Sequence, residues 1–336
     1  MLKYIAKNAA QMLVTLLLIV LIVFIMFELI PGNPAQIMSK LDADQKTIEA
    51  LEQEFGIHDP LPVKISKYFT GLLKGDMGRS IRFGKPVIDL IRQAIPVTMS
   101  LAIYSFFLIV IISVPLALLA SVKRGSFIDN AIRFTTETTL AIPPFFMAVI
   151  LMLIFRTTQL GLKSGQGASS GSSVLVQYML PALAIALSRV TMALEFLRDS
   201  IIEQKKMFYL KTAIGKGVTR SRIILTHVLR NSLVPYITVL GLIIAEIFGG
   251  SIIIEQVFLL PGLGRLLVTA VESRDFPLTQ GIIITIAIVV IVVNFLVDLI
   301  NQFIDPRLRE KEHVALRTGL GAKLIYKLNT IRGVKK

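Results

Sequence analysis

An all-α polytopic membrane protein with six transmembrane helices is the fold class this sequence predicts, and three observations predict it. The mean hydropathy is +0.72 and 54% of the 336 residues are hydrophobic, more apolar than soluble domains usually are. Six long, mostly uncharged runs recur at roughly 9–30, 97–122, 134–155, 174–194, 233–254 and 279–303. The charge of +14 concentrates in segments that flank those runs. At 1.5 Å per residue each run spans ~30 Å, the thickness of a bilayer core.

The first run follows Lys3 and Lys7, as a signal peptide would. Its apolar core exceeds a signal's usual 7–15 residues, and Pro31-Gly-Asn-Pro34 offers no small-residue cleavage site, so a retained anchor over 1–31 is expected. The segment 32–96 opens with a polar stretch, Asp42–Phe55, whose apolar residues at 48, 51 and 55 predict a short amphipathic surface helix. Gly71, Gly75, Gly78 and Gly84 then punctuate a turn-rich stretch. A five-span core follows over 94–304, and a basic tail closes the chain over 305–336. The loop after the third span contains Ser164-Gly-Gln-Gly-Ala-Ser-Ser-Gly-Ser-Ser173, a flexible linker by composition. The last two runs are dense in Ile and Val, but a stretch such as Gly281–Val297 is too long for a typical strand.

Counting fixes an orientation. With the N-terminus inside, the cytoplasmic segments 1–8, 123–133, 189–232 and 305–336 hold 23 Lys/Arg, against 13 on the opposite side. Both termini are therefore expected in the cytoplasm. The same distribution argues against nucleic acid as the reason for the positive charge. There is no cysteine, which excludes disulfides, thiolate nucleophiles and Cys-based metal sites.

Residues 195–232 form a polar interruption of 38 residues with eight Lys/Arg and three Asp/Glu. A helix is expected from near Asp199 to Lys216, with Gly217 just past its end, where a left-handed backbone suits glycine. Thr219 or Ser221 can cap a second helix whose apolar Leu225, Val228 and Leu229 sit at spacings of three and four. Pro235 suits the first turn of the next span. The result is a helix–turn–helix elbow against the membrane, presenting Lys211, Lys216, Arg220 and Arg222 to the cytosol as a docking element for a soluble partner. An inert solvated connector would account for the charge but not for the Ala213–Gly217 turn.

Catalytic patterns are missing. His58, His227 and His313 lack ligand spacing, and no Ser sits in a Gly-x-Ser-x-Gly elbow. Gly215-Lys216 looks like part of a phosphate loop, but Leu210 stands at its first glycine and Gly217 at its Ser/Thr. The chain is read as non-catalytic, with no metal and no cofactor of its own. Glu246 lies within the fifth span; it either faces a water-filled passage, pairs with a neighbour such as Arg189, or stays protonated. Glu28 and Asp298 lie near span ends and can reach the interface. The tail is suited to anionic lipid headgroups.

A series of short motifs carries a family resemblance: Leu29-Ile-Pro-Gly-Asn-Pro34, Phe55-Gly-Ile-His-Asp-Pro-Leu-Pro62, Lys74-Gly-Asp-Met-Gly-Arg-Ser80 and Pro96-Val-Thr-Met-Ser-Leu101. Ala141-Ile-Pro-Pro-Phe145, Tyr209–Gly217 with His227-Val-Leu-Arg-Asn231, Pro261-Gly-Leu-Gly-Arg265 and Arg274-Asp-Phe-Pro277 continue it. Val293-Asn294, Asp298 and Ile304-Asp-Pro-Arg307 complete it. In this order, over about residues 1–310, the chain resembles the permeases of ATP-binding-cassette importers, specifically the first (B-type) permease of the dipeptide/oligopeptide/nickel family. The resemblance implies a type I ABC importer transmembrane domain and a translocation path shared with a second, C-type permease. It also implies two cytoplasmic ATPase subunits, which bind ATP and Mg, and an external solute-binding protein. Tyr209–Gly217 is similar to the family's coupling loop, which implies ATPase-coupling roles for Lys211, Thr212, Ala213, Gly217, Arg220 and Arg222. Lys211 replaces that loop's namesake acid, Thr212 its next alanine, and Phe208 a position often acidic. Glu246 occupies a position where a small residue is expected, and is a candidate for the substrate pathway. The cargo is read as di- or oligopeptides, with nickel or a metal–chelator complex as the alternative within the family. An ion-coupled secondary transporter, the alternative of a different class, would carry inverted repeats and broken half-helices at the midplane.

Overall fold

In a computed structural model describing residues 2–29, 59–122, 124–157 and 174–304, every named element is a helix. The expected amphipathic helix over 42–55, the linker 164–173 and the tail 305–336 lie outside the described residues. In chain order the helices are α1 (Leu2–Leu29), α2 (Leu61–Leu73), α3 (Val87–Val122), α4 (Phe127–Ala141), α5 (Pro144–Thr157) and α6 (Val174–Gln204). Then come α7 (Phe208–Gly215), α8 (Arg220–Arg222), a π-helical turn (Ile223–Val228), α9 (Leu229–Val257), α10 (Leu263–Glu272) and α11 (Phe276–Ile304).

Five of the six expected spans are single helices long and apolar enough to cross a bilayer. The third is not. Instead of one helix over 134–155, α4 and α5 meet at a break and are bent by 105°. The cause is the tandem proline. A residue before proline is driven out of the helical region, and Ile142 is extended at φ −88°, ψ 122°. Pro144 then opens α5, where its missing N–H costs nothing.

Helix α6 is the centre of the bundle, packed between α3 and α9, with two thirds of its apolar window buried. Its contact face is small: Ala182, Ala184, Ala186 and Ala193 are fully enclosed, as are Ala117 and Ala120 on α3. In lipid, where burying apolar surface gains little over hydrocarbon, such residues let backbones approach and maximise dispersion. Polar pairs tie neighbouring spans: Ser113 Oγ lies 2.7 Å from Tyr236 Oη between α3 and α9, and Thr191 Oγ1 donates to the Thr136 carbonyl between α6 and α4. Helix α1 is peripheral, lying on α11 and α2 through Val20, Val23 and Ile284.

Helix α3 has 36 residues, ~54 Å at 1.5 Å each, so its first turns extend beyond a ~30 Å core. Those turns pack against α10 and the start of α11, forming a second, smaller core of Val87, Ile91, Leu263, Leu278 and Ile282. This crown sits at the end of α9 opposite the 195–232 segment.

Candidate functional site

The 195–232 segment is folded, in a form slightly different from the expected one. The single helix Asp199–Lys216 is two: α6 runs on to Gln204, the chain turns at Lys205 and Lys206, and Met207 is extended before α7 starts at Phe208. The break has a tertiary cause. Lys205 Nζ donates to the Ser121 carbonyl, 2.8 Å away at the C-terminal end of α3, where a cation suits exposed carbonyls. Burial, and then Arg220, hold the Lys205 ammonium below the usual lysine pKa.

Helix α7 ends as expected from Gly217. Gly217 N donates to the Ile214 carbonyl at 2.9 Å and Val218 N to the Ala213 carbonyl at 3.3 Å, the paired bonds of a Schellman ending. Gly217 itself has φ +74°. Ala213 and Val218 pack together on the main core, so the turn is anchored from beneath. Leu210 is buried, whereas Lys211, Thr212, Lys216, Gly217, Arg220 and Arg222 are exposed. Two large apolar side chains are exposed with them, Phe208 at 80% and Ile214 at 63%, and the Lys211 ammonium sits 5.0 Å from the Phe208 ring centre. The α7 surface is thus a small apolar knob in a cationic frame.

Three details of the second elbow helix and the span it leads into correct the sequence reading. Leu225 is 58% exposed and off the packed face. Residues 223–228 form a π-helical turn, in which positions five apart superpose, so Ile223 and Val228 share the buried side instead. Pro235 does not open the next span; α9 begins at Leu229 and passes through it. Thr219 occupies the N-cap backbone position but makes no side-chain cap.

Behind the elbow, Arg198 on α6 grips Asp129 on α4. Arg198 Nε reaches Asp129 Oδ1 at 2.9 Å and Nη2 reaches Oδ2 at 2.8 Å. Asp129 Oδ2 also accepts from Gly125 N, and Ser126 Oγ caps the same turn. Asp129 is buried and Arg198 partly so, and a bidentate fork is the strong form of such contacts.

Of the alternatives for Glu246, the structure takes the pairing with Arg189. Arg189 Nη1 and Glu246 Oε2 are 2.6 Å apart, and the side chains remain 30% and 42% exposed. Arg189 is the middle residue of α6, and Glu246 lies three residues past the middle of α9. Glu246 and the elbow residues are therefore separate features, one within the membrane and one at its edge.

Two buried carboxylates at the crown were not singled out by the sequence reading. Glu255, fully buried at the end of α9, accepts from Thr98 Oγ1 at 2.7 Å and from Arg265 N at 3.0 Å. Thr98 Oγ1 accepts from Leu263 N at 2.8 Å, which closes the ring. A Cβ at Gly262 would stand 2.4 Å from Glu255 Cδ, and one at Gly264 would stand 2.5 Å from Ile252 Cα. These approaches explain the Gly-Leu-Gly of 262–264. Asp275, also fully buried, accepts from Ser80 Oγ at 2.5 Å and Arg82 N at 3.0 Å, and receives Leu278 N at the start of α11. A carboxylate seven residues before the first of two closely spaced glycines, Gly262 and Gly264, was the one available signal for Glu255. The apolar run of the fifth span, 233–254, stops one residue short of Glu255.

A bundle of membrane-grade helices with a folded, cation-rich elbow at one end and a locked crown at the other defines a membrane-embedded transport subunit. Comparison with known proteins makes this particular. Residues 113–310 match the model of the family described as binding-protein-dependent transport system inner membrane component, and residues 1–102 match the model of its N-terminal part. The chain is 32% identical over 309 residues to a peptide transport system permease protein of Brucella abortus (strain 2308), covering 91% of this chain and 98% of that one. It is 33% identical over 311 residues to a glutathione transport system permease protein of Pectobacterium atrosepticum, covering 93% and 100%. A chain of the MetNI methionine ABC transporter, solved in inward-facing conformations, shares the fold at TM-score 0.52 and 16% identity, covering 64% of this chain and 96% of that one. The chain belongs to the binding-protein-dependent transport system inner membrane component family. It is a non-catalytic, multi-pass permease subunit of an ATP-binding-cassette importer, in which ATP hydrolysis resides in partner subunits.

Proposed function

We propose that this chain is the first, B-type permease of an importer of di- and oligopeptides, with both termini in the cytoplasm. Peptide cargo is supported by relatives named for peptide and glutathione transport that align over nearly the whole chain. A second, C-type permease completes the path, a solute-binding protein delivers cargo, and two ATPase subunits hold the ATP and Mg. The chain itself takes no cofactor.

One observation carries the mechanical part of this reading: α7 is held rigidly by its Schellman ending and by Lys205, yet projects Phe208, Lys211 and Ile214 outward. A lever must be stiff where it is rooted and free where it is gripped. Lys211, Thr212, Arg220 and Arg222 meet the ATPase, while Ala213 and Gly217 set the turn that presents them. When ATP closes the ATPase pair, the elbows of the two permeases move together. Each elbow is continuous with α6 and, through the π turn, with α9, so the movement tilts the spans that carry Arg189 and Glu246. This is a two-state gate biased by a ligand.

The test is uptake by the reconstituted importer with its own binding protein. ATP-dependent accumulation of di- or tripeptides, without nickel accumulation, is expected. Nickel accumulation with no peptide uptake would reassign the cargo within the family, and uptake driven by an ion gradient without ATPase subunits would overturn the importer reading.

A further inference from the structure

Two independent observations meet at one place in the membrane. The first is the Arg189–Glu246 pair, near the middle of α6 and α9 and only partly covered by its own chain. Charged side chains at bilayer depth face protein or water, because facing hydrocarbon is costly. The second is the break between α4 and α5. Irregular backbone at membrane depth is tolerated only where it is buried in protein or lines a wet cavity. Pro144, the first residue after that break, lines the same shallow recess as the pair, together with Ile185, Ser188, Ile247 and Gly250. Gly250 leaves the recess open on the arginine side, where a Cβ would find only Arg189 Nη2, at 3.8 Å.

We propose that Arg189 and Glu246 form a subsite for the charged ends of a zwitterionic peptide, an inference that rests on the peptide reading above. At rest the two side chains neutralise each other, so the recess offers no net charge to a bare ion. A peptide's ammonium can replace Arg189 on Glu246 while a peptide carboxylate replaces Glu246 on Arg189. Every charge stays paired throughout this exchange, which is the condition for moving ions through a poorly hydrated space. A peptide capped at one end would leave one side chain unpaired, and a site built around polar partners discriminates against such an analogue. The pair is therefore assigned to selecting cargo by its two opposite charges.

The experiment uses the complete importer in vesicles with its own binding protein and four probes: trialanine, its N-acetyl form, its C-terminal amide and the doubly capped form. Each variant's KM is divided by the wild-type KM for the same probe, which cancels the binding protein's own preference. Glu246→Gln is expected to raise KM about tenfold for probes with a free amine and little for acetylated ones. Arg189→Gln is expected to do the same for free-carboxylate probes and little for amides. Because a broken ion pair can impair folding, the double variant Arg189→Met with Glu246→Leu serves as the second arm, with co-purification of partner subunits as its control. Its assembled form is expected to lose discrimination, so that the four probes converge. Unchanged KM ratios in all variants, or a uniform loss across the four probes, would make the pair purely structural and overturn the subsite. If the wild-type importer takes up none of the four, the peptide reading itself fails, and the subsite with it.

Discussion

Arg198 holds Asp129 through both carboxylate oxygens, at 2.9 and 2.8 Å, joining the start of α4 to the membrane exit of α6 just before the elbow. Removing Arg198 leaves the buried Asp129 without its cation, which costs up to about 3–5 kcal/mol. Without Asp129 the partly buried Arg198 keeps Asp199 at 3.1 Å, and the loss is smaller. Arg198→Leu and Asp129→Asn are each expected to lower the thermal midpoint of the purified protein. Replacing both with apolar residues should recover most of that loss, and thermal melts of the two single variants and the double variant check this.

Gly217 is constrained by its backbone alone. A Cβ there would meet nothing within 4 Å, but φ is +74°. Placing a side chain in the left-handed region costs roughly 1–2 kcal/mol, most for β-branched residues. Gly217→Val is expected to insert and assemble normally while losing ATP-coupled uptake, and Gly217→Asn to retain most of it. Normal uptake by the valine variant, measured in vesicles, would remove the turn from the coupling account.

At the crown the constraint is space. Gly262→Ala drives a methyl to 2.4 Å from Glu255 Cδ, and overpacking of this kind costs about 1–3 kcal/mol. The expected result is a lower melting temperature with the Thr98–Glu255 contact displaced. Glu255→Gln, which keeps the shape, should be milder. A melting series over the two variants separates crowding from charge.

Tyr68 on α2 packs 5.1 Å from Phe24 on α1, beside the 2.6 Å pair of Lys64 and Glu28. Burial raises the Tyr68 phenol from 10.0 to about 12. The sign is that of a group whose folded pKa lies above its unfolded one: its contribution to stability is complete below pH 10 and is lost as pH rises through about 12. Ultraviolet difference titration of wild type against Tyr68→Phe should place one phenolate near pH 12, with α1 loosening over the same interval.

The spans were legible because lipid imposes length: a run too apolar and too long for a strand leaves only the helix. Gly217 was legible for a related reason, since few residues end a helix left-handed. Arg274 and Leu259 end helices the same way, at φ +52° and +54°, and carried no such signal because neither is glycine. The break at Lys205 depends on Ser121, 84 residues away in the chain, so no local pattern could show it. The π turn hid Leu225 by changing the period on which the amphipathic reading relied. Pro143-Pro144 was in plain view, but hydropathy averages across a bend. Arg189 and Glu246 could be paired in advance only as alternatives, because their meeting depends on the rotation of two helices.

The most direct test of the lever uses the absence of cysteine from the chain. Ile214→Cys places a single thiol on the exposed tip of α7, and a short bifunctional cross-linker is applied to the intact importer. We expect a covalent adduct between this chain and the ATPase subunit, with a yield that changes when ATP is bound. A thiol at position 214 that reacts only from the external side, or that never joins the ATPase, would contradict the account.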